Sequence, residues 1–160
     1  INSAWLLAFG SVISRRVGAL RFFAFTIASA IAGALLFLVI RPGLIAPVVG
    51  ASGAVAGLMG GVMRFLFSAI DNGQGRRLSD RPAEIPAMSL RTALTDRRIL
   101  SATAAFVALN LLAIIGFGAF GTGATIAWEA HLGGYFFGFL CFGFFDIAPQ
   151  HASPLPTKVD

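Results

Sequence analysis

The feature that most limits the fold of this chain is a succession of four long apolar runs. They occupy residues 22–40, 44–63, 99–120 and 130–145 and are nearly free of formal charge. A helix needs about 20 apolar residues to cross the hydrocarbon core of a bilayer. Only 12% of the residues are charged, about half of the roughly 25% found in soluble domains. The pattern predicts an all-α, polytopic membrane helical bundle, and a buried soluble helix hairpin is the alternative.

The first 13 residues resemble the second half of a helix. Their apolar stretch, 1–12, covers about 18 Å at about 1.5 Å per residue, which is too short to span a bilayer. Since residue 1 is Ile rather than Met, we expect the beginning of this helix to lie outside the chain. We therefore predict about four full transmembrane helices plus half of one in a domain at 1–146, followed by a disordered tail at 147–160.

The basic residues of the connectors fall almost wholly on one side of the predicted membrane. A turn at 14–21, a polar segment at 71–98 and the tail hold ten Lys and Arg, whereas the other connectors hold Arg41 alone. Positive charge accumulates on the cytoplasmic side, so we expect the first three to be cytoplasmic. We expect a multi-pass protein of the lipid bilayer, in a bacterial inner membrane. Because the net charge of +5 sits in these connectors, nucleic-acid binding is not predicted.

Two polar residues stand out in the apolar runs, Ser52 and His131. With this topology both helices enter from the outer side, and His131 lies roughly 9 Å inward at about 1.5 Å per residue, a depth similar to that of Ser52. An ionisable residue in a membrane helix is a functional-site hypothesis by default, and imidazole is the usual base that activates a serine. Taken singly, Ser52 also fits a helix-packing residue and His131 a structural histidine.

Glycines at a spacing of four accompany both polar residues. They are Gly53, Gly57 and Gly61 after Ser52, and Gly134 and Gly138 after His131. Small residues at this spacing allow two membrane helices to approach closely. A Ser–His hydrogen bond of about 2.6–3.2 Å requires such an approach. We predict that these five glycines form the contact between the two helices.

Few other residues support chemistry. Cys141 is the single cysteine, so no internal disulfide can form, and no Cys or His spacing indicates a metal site. We therefore expect no cofactor and no metal. A transporter in which His131 relays protons is an alternative function. It requires further ionisable residues within the membrane, and Arg64 is the one available.

Three blocks of sequence, in this order, resemble the rhomboid family of intramembrane serine proteases. "INSAWLLAFGSVISRRVG" resembles the second helix of the family and the turn after it, "GASGAVAGLMGG" its GxSG motif, and "EAHLGGYFFG" its AHxxGxxxG helix. The resemblance extends from residue 1 to about 145. Soluble hydrolases share GxSG, but the three blocks together in a membrane topology are specific. The places of the first block are filled by Asn2, Gly10, Arg15, Arg16 and Gly18.

The resemblance implies an intramembrane serine endopeptidase that cleaves the transmembrane segments of membrane-protein substrates. It implies a catalytic dyad of Ser52 as nucleophile and His131 as general base, without an acidic third member. The oxyanion would be held by the Asn2 side chain and the Ser52 backbone N–H. The first helix of the family, the loop after it and a histidine upstream of Asn2 would fall before residue 1. A catalytically inactive rhomboid-like protein that binds transmembrane clients is the alternative, and the retained Ser–His pair argues against it.

One position departs from the pattern of the family. Many members carry an aromatic residue four positions after the serine, where it packs on the histidine ring, and this chain has Ala56 there. The sequence leaves open what orients His131. Glu129 is expected to be a solvated residue at the helix end, whereas Trp128 and Tyr135 fit interface anchors or core residues.

Overall fold

The computed structural model describes residues 2–43, 51–119 and 127–146, with the backbone alone at 114–119. Within these ranges the chain is helical and has no β-strand, which confirms the predicted all-α class. The predicted tail at 147–160 lies outside the described residues. The α-helices are α1 (Asn2–Trp5), α2 (Ser11–Val17), α3 (Ala19–Ile40), α4 (Ser52–Asp71), α5 (Gly75–Asp80), α6 (Leu90–Thr95), α7 (Arg97–Ala119) and α8 (Trp128–Cys141). A π-helical turn occupies Leu6–Gly10, and 3-10 turns occupy Pro82–Glu84 and Phe142–Phe144.

The N-terminal helical segment is longer than predicted and ends at one glycine. The first two helices and the π-helical turn between them follow one another without a break up to Val17. Arg15 and Arg16, which were expected in a turn at 14–21, therefore lie in α2. The helix ends at Gly18, whose φ of 78° is in the left-handed region that glycine adopts without a steric penalty. Because α3 starts at the next residue, this one glycine makes the reversal.

Three helices, α3, α4 and α8, form the core of the bundle. Helix α4 is buried along most of its length, whereas α3 buries four of its 22 residues and exposes apolar side chains elsewhere. Exposed apolar side chains on a helix of 22 residues are typical of a face that contacts lipid. Among the described residues, α3 and α4 are the helices that are long and apolar enough to cross a membrane. The buried residues of α3 are Phe25, Ser29, Gly33 and Phe37.

The last helix ends before the apolar run 130–145 does. Helix α8 has 14 residues and ends at Cys141, where a 3-10 turn continues the chain to Phe144. Phe142 of this turn is fully buried and packs edge-on against Phe25 of α3, with ring centroids 5.7 Å apart. The aromatic contact thus extends the core beyond the end of the α-helix.

Two of the segments that were predicted to share one side of the membrane meet the end of α8 at one end of the bundle. Arg16 of α2 donates a hydrogen bond of 2.8 Å to the Ile85 carbonyl and another to the carbonyl of Pro82. It also pairs with Asp146, just after α8, at 2.8 Å, and both side chains are fully buried. The guanidinium carbon lies 4.3 Å from the centroid of the Phe65 ring. We call this group of five residues the Arg16 cluster.

Arg64, the charged residue inside α4, is bound by backbone carbonyl groups. Its guanidinium donates to the Met88 carbonyl at 2.8 and 3.2 Å and to the Phe139 carbonyl at 3.1 Å. In return the N–H of Met88 donates to the Arg64 carbonyl at 2.7 Å. Buried charge is tolerated when its hydrogen bonds are satisfied in this way. Arg64 therefore fastens the polar segment to α4 and α8.

Helix α7 begins with a charged cap. Asp96 precedes the helix and accepts a hydrogen bond of 2.8 Å from the backbone N–H of Arg98. The guanidinium of Arg98 binds both Asp96 and Asp71, which ties the start of α7 to the end of α4. These bonds hold the pKa of Asp96 down at about 2. The cap therefore stays ionised at neutral pH, with the sign that the positive end of a helix dipole favours.

Candidate active site

Ser52 is the first residue of α4 and is half-buried. The first four N–H groups of a helix have no acceptor within the helix, and the backbone N–H of Ser52 is one of them. The helix dipole adds a partial positive charge at the same end. This position suits the binding of a developing negative charge. The connector at 44–50, which leads into the helix, lies outside the described residues.

Helices α4 and α8 are in backbone contact through four glycines. A Cβ added at Gly134 would collide with the carbonyl oxygen of Gly53, and one at Gly138 would collide with the carbonyl oxygen of Gly57. The contact advances by four residues in the same direction along both helices. The two helices therefore run parallel and start at the same end of the bundle.

Gly61, the fifth glycine of the predicted contact, has different neighbours. A Cβ at Gly61 would lie 3.0 Å from side-chain atoms of Phe25 and Phe142. The next close contact between the backbones of α4 and α8 is at Gly60 instead. A Cβ at Gly60 would lie 2.8 Å from the backbone nitrogen of Phe139 and would collide with another carbonyl oxygen of α8. Gly60 was missed because it lies outside the four-residue spacing used for the prediction.

Helix α3 closes the same contact from a third direction. A Cβ at Gly33 would lie 2.5 Å from the carbonyl oxygen of Ala130, and one at Gly133 would lie 2.8 Å from that of Ala32. A Cβ at Gly57 would collide with the side chain of Ser29. Small residues on all three helices thus allow their backbones to converge near the start of α8. The glycine spacing in the sequence had predicted this contact for α4 and α8 only.

The contact sets the relative levels of Ser52 and His131. A Cβ at Gly53 would lie 3.1 Å from the carbonyl oxygen of Ala130. Ser52 and His131 are the sequence neighbours of these two residues, so they lie at the same level of the bundle. Both are half-buried. No hydrogen bond joins the two side chains in the described part of the chain.

The imidazole of His131 is bound from helix α7. Its Nδ1 lies 2.8 Å from Oδ1 of Asn110. Asn110 is 9% exposed, and its Nδ2 donates to the Phe106 carbonyl at 2.8 Å. Asn110 was not among the residues predicted from the sequence. The available signal was an amide side chain in the middle of the apolar run 99–120, where a polar group requires a partner.

A second polar contact joins α7 to α8 below the first. The hydroxyl groups of Thr103 and Tyr135 lie 2.7 Å apart. Tyr135 is fully buried and stacks on Phe106 with ring centroids 4.6 Å apart. Of the two roles left open for Tyr135, the structure selects the core residue. Trp128, the first residue of α8, is half-buried.

Glu129 is buried, so the prediction of a solvated helix-end residue is wrong. Its residual exposure is 1%, and Oε1 accepts a hydrogen bond from Nε of Arg41. Oε2 has no hydrogen-bond partner among the described residues. The prediction considered only the position of Glu129 at the start of its helix. Arg41 follows the end of α3, 88 residues earlier, and its reach to α8 appears only in the folded chain.

Asn2, the predicted oxyanion residue, is the first residue of α1 and is exposed. Its helix contacts α4, which carries Ser52. The side chain of Asn2 makes no hydrogen bond to the residues that the structure describes. Over those same residues no group of three His, Cys, Asp or Glu side chains is arranged to hold a metal ion.

A comparison with protein families gives one match. The family model of the Rhomboid domain matches residues 1–79. The matched stretch includes Asn2 and Ser52, and it ends before Asn110 and His131. No curated protein and no solved structure matches the chain.

Proposed function

Because the chain belongs to the rhomboid family, we propose that it is an intramembrane serine endopeptidase that cleaves transmembrane segments of membrane-protein substrates. The observation that carries the proposal is the parallel glycine contact between α4 and α8, which puts Ser52 and His131 at one level. A serine becomes a nucleophile when a base lies next to it. An imidazole at the same level of a closely packed helix pair supports that role.

In the proposed reaction, Oγ of Ser52 attacks the scissile carbonyl carbon while His131 accepts the hydroxyl proton. The peptide C–N bond then breaks, and His131 returns the proton to the leaving amine. The product of this step is an ester between Ser52 and the N-terminal part of the substrate. Water attacks the ester with His131 again as base, which releases a carboxylate product and regenerates the serine. The Ser–His hydrogen bond forms in the substrate complex, since such bonds are often long in free enzymes.

The negative charge of the tetrahedral intermediate needs hydrogen-bond donors. The backbone N–H of Ser52 is one, because at the start of α4 it has no acceptor within the helix. The Asn2 side chain is the proposed second donor, since its helix contacts α4. Removal of one such donor typically costs about 2.7–4 kcal/mol of transition-state stabilisation.

The labelling of Ser52 by a fluorophosphonate or isocoumarin tests this proposal. In the full-length protein we expect covalent labelling and cleavage of a transmembrane substrate, both abolished in Ser52→Ala and in His131→Ala. The matched control is Ser68→Ala, which removes another half-buried serine from the far end of the same helix. Labelling of the control should equal that of the parent.

Three results would overturn the proposal. Labelling at the full rate in His131→Ala would show that no imidazole base is involved. Cleavage that persists in Ser52→Ala would assign the activity elsewhere, and the absence of all labelling in a folded parent would favour the client-binding alternative.

We also propose that Ser52 and His131 open to the outer side of the membrane and that the Arg16 cluster faces the cytoplasm. Exposed arginines at that end, such as Arg76 and Arg91, support this orientation. The test uses a Cys141→Ser background with one new cysteine, from Pro42→Cys or Arg76→Cys. An impermeant maleimide added to intact cells should label position 42, and position 76 only after permeabilisation. The reverse pattern would contradict the orientation while leaving the dyad in place.

A further inference from the structure

We propose that Asn110 is the positioning residue of His131: its Oδ1 accepts a hydrogen bond from Nδ1–H and leaves the lone pair of the ring on Nε2. The effect on catalysis rests on the proposed function, whereas the protonation of the ring nitrogens does not. The two atoms, Nδ1 and Oδ1, lie 2.8 Å apart. Asn110 thus orients the His131 ring, which the aromatic residue found in many family members at the position of Ala56 would otherwise do.

The direction of the hydrogen bond follows from the second contact of Asn110. An asparagine amide has one side that donates and one that accepts, and its shape alone does not distinguish them. Here the other side of the amide faces the Phe106 carbonyl at 2.8 Å, and a carbonyl only accepts. The atom next to His131 is therefore the oxygen. Since this oxygen cannot donate, Nδ1 must carry the hydrogen.

The amide is held firmly enough to select one form of the ring. Asn110 is 9% exposed, so water has little access as a competing partner. Its carbonyl partner, Phe106, stacks on Tyr135 at 4.6 Å, and the Tyr135 hydroxyl is bonded to Thr103 at 2.7 Å. Helix α7 is thereby attached to α8 on the N-terminal side of the amide. Packing of this kind around a supporting group is what keeps a catalytic side chain in one orientation.

A neutral amide fits this position better than a carboxylate. An ionised side chain in a membrane span is costly, whereas the amide supplies an acceptor oxygen without charge. A general base needs the nitrogen that faces the nucleophile to be unprotonated. In serine and cysteine proteases a third side chain that binds the far nitrogen of the histidine serves this purpose, and in one class it is an asparagine. We infer that α7 supplies the third side chain here.

The test that is independent of activity measures which ring nitrogen carries the hydrogen. The full-length protein is labelled with ¹⁵N-histidine, and the His131 signals are assigned by their loss in His131→Gln. At a pH where the ring is neutral, we expect the parent to show the hydrogen on Nδ1. In Asn110→Ala the ring should shift to the Nε2–H form that free imidazole side chains prefer in water. A parent with the hydrogen on Nε2, or no change in Asn110→Ala, would overturn the inference.

The catalytic arm of the test measures kcat and KM on a transmembrane substrate. Loss of a group that orients a reactive side chain typically lowers activity about 10–100-fold. We expect the kcat of Asn110→Ala to be lower than that of the parent by a factor in this range, while KM stays near that of the parent. Ser101→Ala is the control, because it removes an exposed hydroxyl from the same helix α7 away from Asn110 and His131, and its kcat should stay near that of the parent.

The two proposals fail in different ways. If Ser52→Ala abolishes cleavage while Asn110→Ala has the kcat and the ring protonation of the parent, the inference about Asn110 is wrong and the protease proposal stands. If the parent has no protease activity but its ring hydrogen lies on Nδ1 and moves in Asn110→Ala, the protease proposal fails and Asn110 remains the partner of His131.

Discussion

Glu129 carries its carboxylate in the core two residues before His131, with Arg41 bound to one oxygen. Arg41 itself keeps 31% of its side chain exposed. A buried charge is costly when its partner is removed, whereas an exposed charge can be hydrated instead. The two members of this pair are therefore not equivalent: the buried Glu129 carboxylate needs its partner, whereas the Arg41 guanidinium can be hydrated without it.

We expect Arg41→Ala to lower the free energy of unfolding by about 3–5 kcal/mol, because it leaves the Glu129 carboxylate in the core without its cation. Glu129→Gln should cost less, since water can reach the guanidinium of Arg41. The double variant should recover part of the loss of Arg41→Ala. Unfolding of the three variants in detergent micelles measures these differences. Equal losses in the two single variants would show that the burial of Glu129 is not what matters.

At the scale of helices, two modes of contact hold α8 in place. Its contact with α4 is made by backbone against backbone at Gly134 and Gly138, so it depends on the absence of side chains. Its contact with α7 uses hydrogen bonds from Tyr135 and His131. The first contact is intolerant of added atoms. The second depends on the identity of a few polar groups, which is the kind of contact that can position a ring.

Gly138→Ala should destabilise the bundle by about 1–3 kcal/mol or more, because its Cβ would collide with the backbone of Gly57, which cannot move aside as a flexible side chain would. Gly143→Ala is the matched control five residues later. A Cβ there has no atom of the described residues within 4 Å, so the change should stay within about 0.5 kcal/mol. Thermal unfolding of both variants tests the prediction, and similar melting temperatures would argue against the backbone contact.

At the scale of the whole molecule, the two ends of the bundle differ in construction. One end is joined by the Arg16 cluster and by Arg64, whose guanidinium groups bind backbone carbonyls from separate segments. The other end holds the half-buried Ser52 and His131. At one end, the buried guanidinium groups of Arg16 and Arg64 hold separate segments of the chain together through hydrogen bonds. The opposite end leaves the polar side chains of Ser52 and His131 partly exposed.

Arg16→Met should weaken the whole fold by about 3–5 kcal/mol, because it breaks a buried ion pair and removes the donor from the carbonyls of Pro82 and Ile85. Arg15→Met is the control. Arg15 is exposed and makes one hydrogen bond, to the Ser79 carbonyl, so its replacement should change stability by no more than about 1 kcal/mol. Chemical denaturation in micelles measures the free energy of unfolding of the two variants. An equal loss in Arg15→Met and Arg16→Met would show that the Arg16 cluster has no special role in stability.

The sequence by itself determined the class of fold and the residues proposed for chemistry. Runs of apolar residues, glycines at a spacing of four and the distribution of arginines are local patterns, and each has a direct physical consequence for a helix in a membrane. They predicted the helical bundle and the parallel entry of the Ser52 and His131 helices. Helix ends were less accurate, as Gly18 shows, because one residue with positive φ can replace a predicted turn of eight.

Only the tertiary structure decided which side chains meet. Asn110 reaches His131 across 21 residues of sequence, and Arg41 reaches Glu129 across 88. No periodicity within one helix contains that information, because a hydrogen bond between helices depends on their relative rotation and height. For α3, α4 and α8 the rotation and height are set by the backbone contact at the glycines, and α7 is held to α8 by polar and aromatic side chains. The sequence therefore determines which polar side chains are available for hydrogen bonds, and the packing of α3, α4, α7 and α8 determines which of them become partners.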